Sequence, residues 1–230
     1  MTVAKTVEKT VEKTVEKTIE KTIEKTIEKT MEKMTDAYAI GGKKLEVPRS
    51  ELWIMSYYRV SEIAGAMLFG KVARRIKDDA LRVLMSRHFA DEARHAWVWT
   101  DAIVKVGGIP LDIPHTYQSR YGAEAGVPTT ELELLGITQI FEKRVINQYR
   151  AHQRRRGTHP AVKAALQDIM VDEQWHLKWV KDQLKGLEKK HGKKAVIETV
   201  ERYRDIDERV YAEIAPFENE PWKIFGLDKP

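Results

Sequence analysis

Two stretches of the chain set a carboxylate three residues before an imidazole: Glu92-Ala93-Arg94-His95 and Glu173-Gln174-Trp175-His176. On an α-helix that spacing puts both side chains on one face, where together they can hold one metal ion. An aspartate precedes each motif, Asp91 in the first and Asp172 in the second. Each motif also has a glutamate at nearly the same distance upstream, since Glu62 lies 30 residues before Glu92 and Glu142 lies 31 before Glu173. One Glu-x-x-His is a cheap pattern, but two with matched upstream glutamates describe a duplicated helix pair.

Glu62 falls among Tyr58, Ile63, Ala66 and Phe69, and Glu142 among Ile140, Phe141, Val145, Ile146 and Tyr149, so both are expected to face inward. A buried carboxylate without a partner is costly. Four carboxylates and two imidazoles converging in a core repel one another unless cations neutralise them, and two divalent ions would balance the charge. There are 0 cysteines, which excludes disulfides, iron–sulfur clusters, thiolate zinc and rubredoxin-type iron. A donor set of oxygen and imidazole suits two iron ions first, with Mn/Fe and Mn/Mn as alternatives.

The elements that must position these groups read as helices. Pro48-Arg49-Ser50-Glu51 starts one, and apolar residues recur at helical spacing from Leu52 to about Ile76. A second is expected from about Asp78 to Val106, stopped by Gly107-Gly108-Ile109-Pro110. A long connection containing Gly122, Gly126 and Pro128 leads to a third, starting at Thr129-Thr130-Glu131 and running to about Arg156. Gly157 to Pro160 make a turn, a fourth helix runs from about Ala161 to Gly186, and a fifth from Lys193 to Ile214. Residues 48–215 thus form an all-α bundle with an additional C-terminal helix, and residues 216–230 an extended surface tail.

The order Glu, Glu-x-x-His, Glu, Glu-x-x-His, one element per helix across two helix pairs with a long crossover between helices 2 and 3, resembles the ferritin-like di-iron carboxylate family. The resemblance extends to its rubrerythrin-like and di-iron oxygenase-like four-helix bundles and covers about residues 50–186. It implies that Glu92 with His95 and Glu173 with His176 cap two metals, and that Glu62 and Glu142 are terminal or bridging ligands. It also implies that Asp91 and Asp172 accept the second imidazole N–H, with Arg94 matching the family's arginine before the first histidine. The second copy has Gln174-Trp175 in place of that arginine.

The activity implied is a di-iron oxidoreductase, an oxygenase or oxidase that activates dioxygen or peroxide and oxidises a small organic or lipid-derived substrate with an external electron donor. Ferroxidase or iron-handling activity and peroxide reduction are the alternatives within the family. Rubrerythrin-like peroxidases usually receive electrons from an attached four-cysteine module, so a chain without cysteine would need a separate reductase. A metal-free helical interaction protein is the alternative of a different class. Ala64-Gly65-Ala66 and Gly70 put small side chains beside Glu62, which suits either a pocket or close helix packing.

Other features read plainly. Trp53, Trp97, Trp99, Trp175 and Trp179 are expected in core or interface; Tyr58 and Tyr149 in aromatic packing, with a hydrogen bond to a metal ligand or electron donation as the alternative; and His88 in packing, with a place beside the ligands or facing a substrate as the alternative. Residues 1–34 are a Thr-Val-Glu-Lys repeat arm. Its four-residue period advances about 400° per repeat, so its apolar positions spiral around a helix, and a frayed helix or disordered arm is expected. A net charge of +5 and the short cluster Arg154-Arg155-Arg156 are weak grounds for nucleic-acid binding. No run approaches the roughly 18 apolar residues of a membrane span, nor is there a signal-peptide core, so a cytoplasmic protein is expected, with a homo-oligomer possible in principle.

Overall fold

A computed structural model of the chain describes residues 43–114 and 116–225, with side chains up to residue 213. The repeat arm lies outside the described residues. Six helices make up the described fold: α1 (Arg49–Ala73), α2 (Asp79–Lys105), α3 (Tyr117–Ala125), α4 (Glu131–Arg154), α5 (Pro160–His191) and α6 (Lys193–Phe225). The all-α expectation holds. No described helix is long and apolar enough to cross a membrane.

Local chemistry sets the helix starts. The Asp78 carboxylate accepts from the Leu81 N–H at the start of α2. Thr130 and Glu133 form a reciprocal capping box on α4, and Pro160 occupies the first turn of α5, where its missing N–H costs nothing. The end of α2 is a Schellman turn: the Gly107 N–H bonds to the Val104 carbonyl and the Gly108 N–H to the Ile103 carbonyl. Gly107 adopts φ of +80° there, and a Cβ at that position would stand 2.7 Å from the Lys44 carbonyl oxygen.

Three boundaries differ from the sequence expectation. α3 lies inside the connection expected to be irregular, and Thr116 and Ser119 cap it reciprocally in place of the usual Thr/Glu pair. α5 continues past Gly186 to His191 and ends at Gly192, whose φ is +84°. A Cβ at Gly186 would meet nothing within 4 Å, and a solvent-side glycine costs a helix only about 1 kcal/mol, too little to stop it. α6 continues beyond Ile214 through Pro216 to Phe225. A proline removes one ladder bond, but its fixed φ is itself helical, so the chain beyond it can keep turning.

α1 packs on α2 and α4 on α5, α2 packs on α5, and α6 lies against α1, α4 and α5 while also holding α3. Arg144 of α4 makes a two-bond pair with Asp207 of α6, and the Tyr117 hydroxyl of α3 donates to the same aspartate. The Tyr121 hydroxyl donates to the Tyr203 carbonyl at 2.9 Å. The apolar core falls into two clusters, one around Tyr58, Trp99, Tyr149 and Leu166, the other around Phe69, Met85, Trp179 and Leu184. Between them on α1, α2 and α5 lie Glu62, the segment His88 to His95, and the segment Glu173 to His176. A polar layer is thereby clamped between two apolar ones.

Replacing Gly107 by alanine should lower unfolding stability by about 2 kcal/mol, because positive φ strains an L side chain and the new Cβ meets backbone. Denaturant titration checks this; an unchanged midpoint would show that the turn relaxes freely.

Candidate metal centre

The polar layer draws on four helices. α1 brings Glu62, α2 brings His88, Glu92 and His95, α4 brings Glu142, and α5 brings Glu173 and His176; all seven are buried. Their ligand-capable atoms fall into two groups that could hold a metal ion: Glu62, Glu92, His95 and Glu173 in one, His88, Glu92, Glu142 and His176 in the other. Within each group the atoms lie within 4.8 Å of one another, and Glu92 belongs to both. The six ligand residues expected from the sequence are all in these groups.

Glu173 reaches both sides. Its Oε1 lies 3.2 Å from His95 Nδ1 and its Oε2 lies 3.4 Å from His176 Nδ1. The sequence pattern paired each glutamate with the histidine of its own motif, whereas here Glu173 stands between the two. The Glu62 Oε2 atom is 3.6 Å from His95 Nδ1, and Glu142 Oε2 is 3.7 Å from His176 Nδ1.

The outer nitrogens are anchored crosswise. His95 Nε2, on the first motif, meets Asp172 of the second at 3.2 Å, and His176 Nε2 meets Asp91 of the first at 3.3 Å. An ionised aspartate only accepts, so Nε2 carries the proton in each ring and Nδ1 is turned toward the layer. Asp172 is further held by Arg94, whose guanidinium donates to it at 2.5 Å and to Asp168 at 2.7 Å. These bonds keep the Asp172 carboxyl below its ordinary range, though burial works against them. The second copy lacks the matching arginine, and Arg87 of α2 comes within 3.6 Å of Asp91 instead, its guanidinium 3.7 Å above the Trp175 ring.

His88 is the residue that sequence reasoning missed. Its Nε2 lies 3.0 Å from Glu142 and 3.2 Å from Glu92, and its ring stacks on His176 with centroids 3.7 Å apart. Residues 88, 92 and 95 share one helix face at i, i+4 and i+7, and that periodicity was the available signal. Tyr149, expected in aromatic packing, also donates its hydroxyl to Glu62 and accepts from Trp99 Nε1 at 3.0 Å. Trp99 and Trp179 are buried as expected, while Trp97 is exposed.

The chemistry of the layer fits a cation. His88 Nδ1, His95 Nδ1 and Glu173 Oε1 are buried without a hydrogen-bond partner, although the last two face each other at 3.2 Å. An unsatisfied buried polar atom costs about 1–3 kcal/mol, and a shared cation would satisfy the latter pair together. Without a cation the layer must hold protons. Burial, then the charge of Glu62, pushes the Glu92 carboxyl up to about 8. Burial alone would lower His95, but the Glu173 and Glu62 carboxylates beside its ring carry it up to about 11. His176 is raised in the same sense against its burial by Asp91, Glu142 and Glu173, and Glu142 is drawn below the carboxylate range, against its burial, by His88 and His176.

Small residues shape the neighbourhood. A Cβ on Gly65 would collide with Glu92 Oε2, so this glycine makes room for the shared carboxylate. Gly70 meets Phe89 and serves helix packing. A cavity of about 240 Å³ runs beside Glu62, Glu92, Glu142 and Glu173, walled by apolar residues of α1 and α4 and by the stretch from α3 to Pro128. Ser61 and Gln118, hydrogen-bonded at 3.1 Å, tie α1 to α3 at its edge.

No family model matches the chain, and comparison with curated proteins and with solved structures gives no match. What the chain does must be read from its own side chains.

Metal loading should release protons, since ligands bind deprotonated. At pH 7, below the values for Glu92 and His95 and with His176 raised as well, loading with ferrous or manganous ion should release on the order of three protons per chain in weak buffer. Affinity should therefore rise with pH, and loading without acidification would contradict this protonation pattern. Gly65→Ala should displace Glu92 and lower bound metal, as elemental analysis would show, with helix content unchanged.

Proposed function

We propose that the chain is a ferritin-like di-iron carboxylate oxidoreductase that uses dioxygen or peroxide to oxidise a small organic or lipid-derived molecule. The observation that carries this reading is one buried layer offering two four-residue donor groups that share Glu92, with an apolar cavity touching four of its carboxylates. The fold reading behind it is the ferritin-like bundle, two helix pairs with the crossover between α2 and α4. One ion would be held by Glu62, Glu92, His95 and Glu173, the other by His88, Glu92, Glu142 and His176. Glu92 would serve both groups, and Glu173, which faces both His95 and His176, stands between them. Nitrogen and oxygen donors without sulfur favour iron, with manganese in one or both positions as the alternative.

When bound, a ferrous pair supplies two electrons for reduction of dioxygen or peroxide. The protein's own groups supply the rest. Asp91 and Asp172 fix the imidazole tautomers and aim Nδ1 inward, and the Tyr149 hydroxyl orients Glu62. Leu68, Phe69, Ile137, Phe141 and Val145 exclude water from the cavity, while Ser61 and Gln118 offer a polar group to one end of a guest. The volume, below the roughly 300–1,000 Å³ of drug-sized sites, favours a small substrate. Electrons for further turnovers come from a separate donor, because the chain has no cysteine for a rubredoxin-type centre.

Elemental analysis of protein made with iron and manganese both present should find about two equivalents of metal per chain, falling in Glu62→Ala. Admitting dioxygen to the anaerobic ferrous form should change the near-ultraviolet and visible absorbance. Val145→Trp, which fills the cavity, should keep the metal and lose oxidised product. No bound metal would leave a metal-free interaction bundle in front, and turnover of many irons per chain into mineral would assign iron handling instead.

A further inference from the structure

The large apolar side chains left exposed are concentrated. Of eight among the described residues, five lie on α1 and α2: Met67, Val83, Phe89, Trp97 and Val104. On α2, Val83, Ala90, Trp97 and Val104 recur every seven residues and are all exposed, Val83 at 70% and Trp97 at 64%. Exposed Ser86 and Ala93 fill the line between them. At 100° per residue the line runs down the back of α2, about 180° from the face that carries His88, Glu92 and His95. It holds no charge from Val83 to Trp97. On one flank Phe89 packs against Gly70 of α1, and Met67, one turn earlier and 71% exposed, continues the apolar surface. On the other flank stand Arg87 and Asp101, both substantially exposed, the first also near Asp91 and the second 2.6 Å from Lys105 Nζ within its own chain.

We propose that a second copy of this chain docks on this face, α2 against α2, antiparallel about a two-fold axis between residues 93 and 94. In that register Val83 meets the partner's Val104, and the small Ala90 receives the partner's Trp97. Arg87 falls beside the partner's Asp101, and the symmetry makes that contact twice. A seven-residue repeat keeps a straight seam between two helices crossing at a shallow angle. The other available segment, the repeat of residues 2–33, suits the face poorly. Its apolar residues recur every four positions, so a helix built from them would present a spiral where the surface presents a line. The inference stands apart from the metal reading, because it uses the opposite face of α2.

The chain lacks cysteine, so single-cysteine variants of the full chain report one position each. Ala93→Cys, beside the axis, should form a disulfide-linked dimer on mild oxidation. Val83→Cys and Val104→Cys should each fail to self-link, since Val83 and its copy would stand roughly 30 Å apart along the seam. Mixed together, those two variants should link to each other. Sedimentation should find the unaltered chain dimeric at micromolar concentration, and Trp97→Glu should halve the sedimenting mass with helix content unchanged. A monomeric unaltered chain overturns the proposal, whether residues 2–33 or solvent covers the face. Self-linking of Val83→Cys, or a dimer indifferent to Trp97→Glu, overturns it equally.

Discussion

Four glutamates that share one buried layer with three histidines set the terms for the rest of this fold. Carboxylates taken out of water at such short separations disfavour one another's ionisation, and burial adds to the penalty. The chain offsets this with apolar clusters on both sides of the layer and with hydrogen bonds that reach in from the rim. Asp91 and Asp172 hold the outer nitrogens of His176 and His95, and Tyr149 holds Glu62. Inside the layer, the facing His95 Nδ1 and Glu173 Oε1 are left without a hydrogen bond. Such an arrangement, anchored at its rim and with donor atoms left over inside, could hold a metal ion.

The two halves of the layer are similar in pattern and unequal in chemistry. The first group has three carboxylates and one imidazole, the second two of each. Their supports differ as well. Asp172 is clamped by Arg94, which also reaches Asp168 and so fastens α2 to α5, while Asp91 has the more distant Arg87 resting on Trp175. The second imidazole of the nitrogen-richer group comes from His88, outside both Glu-x-x-His motifs. Because softer nitrogen donors and harder oxygen donors rank metals differently, two ions bound here would not occupy equivalent positions.

Much of this was legible in the sequence because helical periodicity converts spacing directly into a shared face. Glu62 and Glu142 could be placed on inward faces from neighbouring apolar residues, and Glu92 with His95 and Glu173 with His176 on shared faces from their three-residue spacing. His88 carries the same i, i+4, i+7 signal but was passed over, because a lone histidine four residues ahead of a motif looks like packing until Glu142, from a different helix, is seen beside it. α3 was hidden for a local reason, since its cap is Thr116 with Ser119 and it contains Gly122 within a glycine-bearing connection. Gly186 misled in the opposite sense: facing open space, it carries too small a penalty to end α5. The crosswise aspartates could not be foreseen, because sequence spacing says nothing about which of two neighbouring rings a carboxylate will reach.

That crossing bears on how the chain could be divided. Although the spacing from Glu62 to His95 is repeated from Glu142 to His176, neither repeat is self-sufficient, because each imidazole is oriented by an aspartate belonging to the other. A fragment ending in the connection after α2 would keep His95 and lose Asp172; the complementary fragment would keep His176 and lose Asp91. Each half thus supplies the carboxylate that orients the other half's imidazole.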